Sequence, residues 1–431
     1  MPDARMGLVR DVQVAAALAD ISPARIRHTD SALVAFGTRN TFSDTLSTVR
    51  GIGAARRWIY NELRTYSRDC GGCLRVEYDA AEMALARANG QRVNVVNVLA
   101  WLPGRDTTRV IVMGGHYDSC VCGVPLNGGI GGGNDGISDA PGADDDGSGT
   151  SAVIELARVA SMRYPKGLDA TIIFALYASE EQGTNGSRHL AERLRDGGYR
   201  IIAGMTDDIV GNVVAEDGAV DSTSVRIYAA DSVPSGGGEL ARYVWALGQT
   251  YLRGFEVRPT FRLDRLGRGG DHGPFYRIGV PALRFTERLE NYRRQHLPTD
   301  DFKNVNFPYT ANIARLNLAA VLSLAAAPAA PDSALQRREN TSSGGQKWTL
   351  AWHPVPGAAS YEVLVRSTWS PVYTRLIPVQ GTTYVVDEQL DDAWAAVRTV
   401  GVGGWRSLTT VFTVPTRSPR SATTTPPPNT P

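Results

Sequence analysis

Hydrophobic residues in the first three quarters of the chain form short continuous runs that alternate with helical patterns. The apolar runs cover residues 94–102, 110–118, 170–180 and 281–287, and a helical pattern covers residues 151–162. Such alternation is typical of a mostly parallel sheet with helices on both faces. The pattern therefore predicts an α/β fold whose mixed, mostly parallel sheet is sandwiched by helices. Ligands of such sheets bind at the carboxyl ends of the strands.

The last part of the chain follows a different pattern. Apolar and polar residues alternate with a period of two over residues 347–414, and Pro, Gly and Asp separate the runs. This pattern predicts a small all-β sandwich over residues 335–415. A Pro- and Ala-rich stretch predicts a linker at residues 326–334. The Pro- and Thr-rich tail, residues 416–431, has too few apolar residues to fold, and we expect it to be disordered.

Composition and charge narrow the classes of partner. With 42% apolar residues in 431, the chain can bury at least one large core, and 45 basic against 44 acidic residues give a net charge of +1. This balance provides no field that would attract nucleic acid. The sequence contains no apolar run of the length needed to span a bilayer. Charges interrupt the N-terminus where a signal peptide needs an apolar core, although a signal removed earlier would leave no trace.

The four cysteines occur as two close pairs, Cys70 with Cys73 and Cys120 with Cys122. They admit two disulfides, free thiols or a four-thiolate zinc site. The one-residue gap between Cys120 and Cys122 suits structural zinc poorly, so we favour disulfides. Disulfides would indicate an oxidising compartment and hence a secreted or periplasmic protein.

Two polar clusters directly follow or precede predicted elements. His116 and Asp118 follow an apolar run, where an imidazole can bind a metal while a carboxylate holds its second nitrogen. Asp144, Asp145 and Asp146 precede a predicted helix, and adjacent carboxylates repel one another unless a cation or a helix N-terminus compensates them. Taken alone, His116 is more often an ordinary buried residue, and the aspartates are equally consistent with a helix cap.

Further candidates occur later in the sequence. Glu180 and Glu181 follow a strongly apolar run, so that one carboxylate can bind a metal while the other activates water. Asp208 occurs in MTDDIVGN and His296 in QHLPTDDF. Each of these motifs alone is weak evidence for a site. A Glu pair is common on protein surfaces, and Asp208 could simply stabilise a turn.

In their order, these motifs resemble the co-catalytic zinc aminopeptidases, the leucine-aminopeptidase-like metallopeptidases that bacteria secrete. That family shows H-x-D, G-A-x-D-D-x-x-S-G, E-E, D-x-x-G and a late H-x-x-x-D in this order, and the resemblance covers about residues 40–325. It implies a zinc exopeptidase fold over residues 1–325, with residues 1–40 as an N-terminal extension. It also implies peptide or protein substrates.

The resemblance also implies a role for each site residue. One zinc ion would be held by His116 and Asp208 and the other by Glu181 and His296. Asp145 would bridge the two ions, because it lies three residues before Ser148 as the bridging carboxylate of the family does. The same comparison makes Glu180 the general base and Asp118 the carboxylate partner of His116. Cobalt or manganese are alternatives to zinc at such donors.

The residue that stabilises the oxyanion is left open. Gln295 stands where relatives often have an aromatic residue before the last histidine, so Tyr292 and Gln295 are both candidates. Asp271 and His272 match a family segment with Gly270 in place of serine, and we expect them to line the pocket or to support its loop.

Two other segments carry weaker signals. The Gly-rich loop 120–143 either is a solvent loop or binds calcium through Asn134, Asp135 or Asp139. The final domain resembles a fibronectin type III domain, with Trp352 on an early strand and Val397, Arg398 and Val400 on a late one. Trp394 stands where that family has its tyrosine. Such a domain either has no ligand or binds a protein, a polysaccharide or a surface.

Two alternative functions share this architecture. A glutaminyl cyclase resembles the family but keeps a single zinc ion, and the complete motifs around His116 and Asp145 argue against it. A catalytically idle binding protein is the second alternative. Glu180 beside Glu181 disfavours it, because binding alone needs no general base.

Overall fold

The computed structural model describes residues 2–122, 134–232, 236–340, 346–386 and 389–414. In the first domain, eight strands form one sheet. They are β1 Arg75–Leu85, β2 Gln91–Leu102, β3 Asp106–His116, β4 Ala170–Tyr177, β5 Arg200–Asp207, β6 Ser224–Tyr228, β7 Glu256–Thr260 and β8 Ala282–Glu287. The strand order is β1-β2-β4-β3-β5-β8-β6-β7.

The centre of this sheet is parallel. Strands β4, β3, β5 and β8 run parallel to one another, and β6 pairs parallel with β7. The pairs β1–β2, β2–β4 and β6–β8 are antiparallel. The predicted mixed, mostly parallel α/β sheet is thus confirmed, and its parallel centre brings four strand ends to one edge.

Helices cover both faces of the sheet. The helices of this domain are α1 Val12–Ala19, α2 Pro23–Val34, α3 Gly51–Asp69, α4 Gly149–Arg163, α5 Asn185–Asp196, α6 Gly237–Tyr251, α7 His272–Arg277 and α8 Phe307–Ala326. Because side chains of a strand alternate between faces, Ile111 and Met113 pack with one helix layer and Val110 and Val112 with the other. The larger layer contains α4, α6 and α8, and the smaller contains α5 and α7.

The predicted N-terminal extension belongs to this core. Within it, α1 and α2 contribute Val14, Leu18, Ile26 and Leu33 to the same buried cluster as α4 and α8. Asp11 caps α1 by accepting hydrogen bonds from the N–H groups of the first turn. The buried apolar face fixes both helices to the first domain.

The second domain is all-β, as the alternating pattern predicts. Its strands are β9 Leu335–Asn340, β10 Gln346–Ala351, β11 Ala358–Ser367, β12 Arg375–Val379, β13 Thr383–Val386, β14 Ala393–Gly401 and β15 Thr410–Val411. They form two antiparallel sheets, β13-β10-β9 and β12-β11-β14-β15. Trp352 lies directly after β10 and packs against Tyr361 and Phe412 in the core between the sheets. Val397, Arg398 and Val400 lie on β14, as does Trp394.

A buried polar contact joins the two domains. The Glu239 carboxylate on α6 accepts hydrogen bonds from the Tyr373 and Thr409 hydroxyls of the sandwich and from Arg242 on its own helix. Val372 and Leu408 of the sandwich join the apolar cluster of the first domain. The domains therefore share both an apolar and a polar interface.

Both cysteine pairs are disulfides, Cys70–Cys73 and Cys120–Cys122. This arrangement confirms the favoured alternative and removes the four-thiolate zinc site, because a disulfide sulfur is not a thiolate ligand. Among the described residues, no helix has the length and apolar character needed to cross a bilayer.

Candidate metal centre

Most of the sequence-predicted ligands lie where loops leave the carboxyl ends of the central strands. His116 ends β3, Glu180 and Glu181 follow β4, and Asp208 follows β5. Asp145 lies in the irregular turn Ala143–Ser148, which leads into α4. The parallel centre of the sheet thus gathers residues that are up to 92 positions apart in the sequence, from His116 to Asp208.

Asp145 links two groups of donor atoms. Nε2 of His116 lies 3.2 Å from Oδ1 of Asp145 and 4.0 Å from Oδ1 of Asp208. Nε2 of His296 lies 3.0 Å from the other oxygen, Oδ2 of Asp145, and 3.4 Å from Oε2 of Glu181. Within each group, one ligand atom per residue lies within 4.8 Å of the others. Each oxygen of the Asp145 carboxylate therefore faces a different histidine.

The donor set fits metal cations. It consists of imidazole nitrogens and carboxylate oxygens, which suit zinc. Oε1 of Glu181 is buried and has no hydrogen-bond partner among the described residues. Burial would lower the pKa of His116, but the hydrogen bond to Asp145 and the neighbouring carboxylates raise it well above its usual value. Buried carboxylates are destabilised unless positive charge compensates them, and bound dications would supply that charge.

Backbone conformation helps to aim these side chains. Ser179, Ile209 and His296 adopt left-handed backbone, with φ of 62°, 63° and 56°. Such conformations cost about 1–3 kcal/mol each for non-glycine residues and concentrate at functional sites. Ser179 directly precedes Glu180 and Ile209 directly follows Asp208, so the strain lies where two loops present their carboxylates.

Asp118 contacts its neighbours differently from the arrangement expected from the sequence. Nδ1 of His116 lies 3.1 Å from the backbone carbonyl oxygen of Asp118 and 3.7 Å from its carboxylate. The Asp118 carboxylate instead accepts hydrogen bonds from the backbone N–H groups of Glu180 and Glu181, at 3.1 and 3.3 Å. Asp118 therefore holds the histidine through its carbonyl and the glutamate loop through its side chain.

Glu180 lies at the edge of the cluster and lines the cleft beside it. Burial raises the pKa of Glu180 to about 7. A carboxyl group with a pKa near neutrality can both accept and return a proton at physiological pH. Its position and its pKa suit a general base.

The turn that carries Asp145 is fixed by carboxylates that are not part of the predicted ligand set. Asp300 accepts hydrogen bonds from the backbone N–H groups of Asp144 and Asp145, at 3.0 and 2.9 Å. Asp146 accepts from the N–H groups of His116, Gly149 and Ile209. Asp300 is the last residue of the H-x-x-x-D motif, which is the sequence signal that could have identified it.

Arg284 is a site residue that the sequence reasoning missed. This buried side chain on β8 lies 2.8 Å from Oδ1 of Asp208 and 3.2 Å from Oδ2 of Asp264. Burial would raise the pKa of Asp264, but Arg284, His272 and Arg265 hold it at about 2. An arginine within an apolar strand pattern carries no sequence signal for this role.

Of the remaining predicted residues, some line the cleft and others do not. His272 lines the cleft, and its Nε2 lies 2.7 Å from the carbonyl oxygen of Leu263; burial lowers the pKa of His272 to about 4. Asp271 is buried and accepts a hydrogen bond from Ser187. Tyr292 and Gln295 are not among the residues that line the cleft: Tyr292 is half exposed, and Gln295 is buried and donates to Glu290.

The calcium candidates are already engaged within the protein. Asp139 pairs with Arg50 at 2.7 Å, and Asp135 accepts hydrogen bonds from the backbone of its own turn. The side-chain amide of Asn134 donates to the carbonyl oxygen of Arg87. The rest of the predicted loop, residues 123–133, lies outside the described residues, as does the predicted tail at residues 416–431.

Comparisons with known proteins show the family. The sequence model of peptidase family M28 matches residues 97–321. A probable zinc metalloprotease of Pyrenophora teres f. teres is 36% identical, and the match covers 92% of this chain and 86% of that protein. A probable zinc metalloprotease of Leptosphaeria maculans is 35% identical, with 93% and 98% covered.

Solved structures share the fold. LapB of Legionella pneumophila superposes with a TM-score of 0.59 at 22% identity, covering 75% of this chain and 78% of LapB. The glutaminyl cyclase of Porphyromonas gingivalis superposes with a TM-score of 0.52 at 19% identity, covering 70% and 97%. Both likenesses concern the fold alone.

Proposed function

Because the chain belongs to peptidase family M28 and is a zinc metalloprotease, we propose that it is an aminopeptidase with two zinc ions. His116 and Asp208 would hold one ion, and Glu181 and His296 the other, with Asp145 shared between them. The observation that carries this proposal is the position of the Asp145 carboxylate, whose two oxygens face Nε2 of His116 and Nε2 of His296. A single-metal site would need no carboxylate between two histidines.

The residues around the centre have complementary roles in hydrolysis. Two bound zinc ions would polarise the scissile carbonyl and lower the pKa of the attacking water; cobalt or manganese could replace them. Glu180 accepts the proton of that water and passes it to the departing amine. Asp118 holds the Glu180 loop and the ring of His116 in place.

Peptides or proteins with a free N-terminus are the proposed substrates. The fold likeness to the LapA aminopeptidase of Legionella pneumophila is consistent with this assignment. The oxyanion-stabilising residue is unassigned, because neither Tyr292 nor Gln295 lines the cleft.

The two disulfides favour an oxidising compartment, so we also propose that the protein is secreted or periplasmic. We further propose that the second domain is of fibronectin type III type. Its two antiparallel sheets and the tryptophan packed between them, Trp352, support this proposal.

A glutaminyl cyclase is the second candidate, because enzymes of that activity share the fold. The two activities differ in product: a cyclase converts an N-terminal glutamine to pyroglutamate without cleaving the chain. A peptide with N-terminal glutamine therefore distinguishes them by mass. We expect loss of a residue rather than loss of ammonia.

The test uses amino-acid p-nitroanilides and their N-acetylated forms, with and without a chelator. We expect hydrolysis of free but not of acetylated substrates, and loss of that activity on chelation. Glu180→Gln should lower kcat by about 10²–10⁴-fold, whereas the matched control Glu192→Gln, at an exposed position on α5, should not. Hydrolysis that survives both chelation and Glu180→Gln would overturn the proposal.

A further inference from the structure

A cleft of about 730 Å³ opens beside the metal centre, and exposed arginines surround it. They come from four separate elements: the short helical turn Ala86–Ala88, α5, the loop before α7, and α7 itself. These residues, the arginine rim, are Arg87, Arg188, Arg268 and Arg277.

Two members of the rim touch the loop that follows β4. Nη1 of Arg87 donates to the backbone carbonyl oxygen of Glu181 at 3.1 Å. Nη2 of Arg188 donates at 2.8 Å to the side chain of Asn185, which itself binds the carbonyl oxygen of Gln182. Both guanidinium groups are thereby held next to the loop that carries Glu180 and Glu181.

The other two members lie on α7 and on the loop before it. Nη1 of Arg277 lies close to Gly273. A Cβ atom added to Gly273 would lie only 3.4 Å from this nitrogen. The guanidinium of Arg268 lies 5.6 Å from the ring centre of Tyr292. Four segments of the chain therefore bring positive charge to the lining of the cleft.

No member of the arginine rim forms an ion pair with a residue in the described ranges, and the undescribed loop 123–133 contains no acidic residue. Some exposed arginines elsewhere are paired, as Arg195 is with Asp196 and Arg200 with Asp106. The carboxylates that line the cleft are Asp145, Glu180, Glu181 and Asp208, the proposed metal ligands and base. Their charge would be offset by two dications, which leaves the charge of the rim without a partner.

We propose that this cleft selects peptides with acidic side chains in the residues that directly follow the N-terminus. Guanidinium groups bind carboxylates through charge-assisted hydrogen bonds, and a cleft lined by one sign of charge concentrates ligands of the opposite sign. The inference rests on the proposed aminopeptidase function, since a bound N-terminus would place the next residues in the cleft.

The test compares the tripeptide amides Leu-Glu-Glu and Leu-Gln-Gln, which differ in charge but hardly in shape. We expect kcat/KM for the acidic peptide to be roughly tenfold higher at low salt, since each exposed ion pair contributes a few-fold at most. The preference should shrink in 0.5 M NaCl, because salt screens exposed charges. Arg188→Gln and Arg277→Gln should each reduce the ratio several-fold.

Arg64→Gln is the matched control, because Arg64 is an exposed arginine on α3 and does not line the cleft. It should leave the ratio unchanged. Equal rates for the two peptides, or a ratio that both rim variants leave intact, would overturn this inference while release of leucine still supports the aminopeptidase. If neither peptide is cleaved and p-nitroanilides are not hydrolysed, the proposed function fails and the inference fails with it.

Discussion

Nη2 of Arg284 lies 2.8 Å from Oδ1 of Asp208, so a buried cation pairs with one of the proposed zinc ligands. The same guanidinium contacts Asp264 and the carbonyl oxygen of Gly269. Arg284 therefore fixes Asp208 through Oδ1, the same oxygen that lies 4.0 Å from Nε2 of His116. It also compensates the negative charge of two buried carboxylates, Asp208 and Asp264.

Replacing Arg284 with Gln should destabilise the protein and weaken metal binding. The change leaves Asp208 and Asp264 short of positive charge in a buried site, and breaking buried ion pairs costs about 3–5 kcal/mol. Thermal unfolding with and without zinc measures the effect. Arg195→Gln, which breaks an exposed pair, serves as control and should leave the melting temperature unchanged. A melting temperature of Arg284→Gln equal to that of the wild type would contradict the assigned role.

Asp118→Asn should weaken zinc binding without abolishing it. The carboxylate of Asp118 accepts the N–H groups of Glu180 and Glu181, and the amide would provide only one acceptor oxygen. Loss of such supporting contacts typically lowers metal affinity by about 10–100-fold. Competition with a chromogenic chelator measures the affinity. Glu180→Gln is the comparison, since it should reduce turnover with a smaller change in affinity; equal zinc affinity for wild type and Asp118→Asn would refute this prediction.

Glu239→Gln should loosen the contact between the two domains. The charged carboxylate accepts two hydroxyl hydrogen bonds from the sandwich and pairs with Arg242 at 2.9 Å. We expect a loss of about 1–3 kcal/mol from these buried hydrogen bonds, together with faster proteolysis between residues 327 and 334. Denaturant unfolding and timed digestion provide the readouts. Glu256→Gln, in an exposed pair with Arg258, is the control. Unchanged digestion and stability would show that the apolar contacts alone join the domains.

The sequence predicted most of the fold because the fold depends on local patterns, and its motifs, through the family that they resemble, pointed to the residues that the fold gathers at the candidate site. Apolar runs identify the central strands, and polar residues directly after those runs mark the edge where ligands bind. The spacing of three residues before Ser148, as in the family that the motifs resemble, singled out Asp145 among three adjacent aspartates, and its carboxylate lies between the two histidines.

Contacts that depend on three-dimensional packing could not be read from the sequence. Arg284 lies in an apolar strand pattern and meets Asp208 only because β5 and β8 are neighbours. The carboxylate of Asp118 binds the backbone of the loop after β4 and not His116. The two-residue spacing between His116 and Asp118 does not reveal this contact. The arginine rim likewise draws on four distant segments.

The number of zinc ions bound per chain tests the central claim most directly. Native mass spectrometry of the zinc-loaded protein, paired with elemental analysis, counts the ions without reference to any substrate. We expect two zinc ions per chain in the wild type and fewer than two after His296→Ala. One zinc ion per fully active chain, with the same count after His296→Ala, would contradict the two-metal centre built around Asp145.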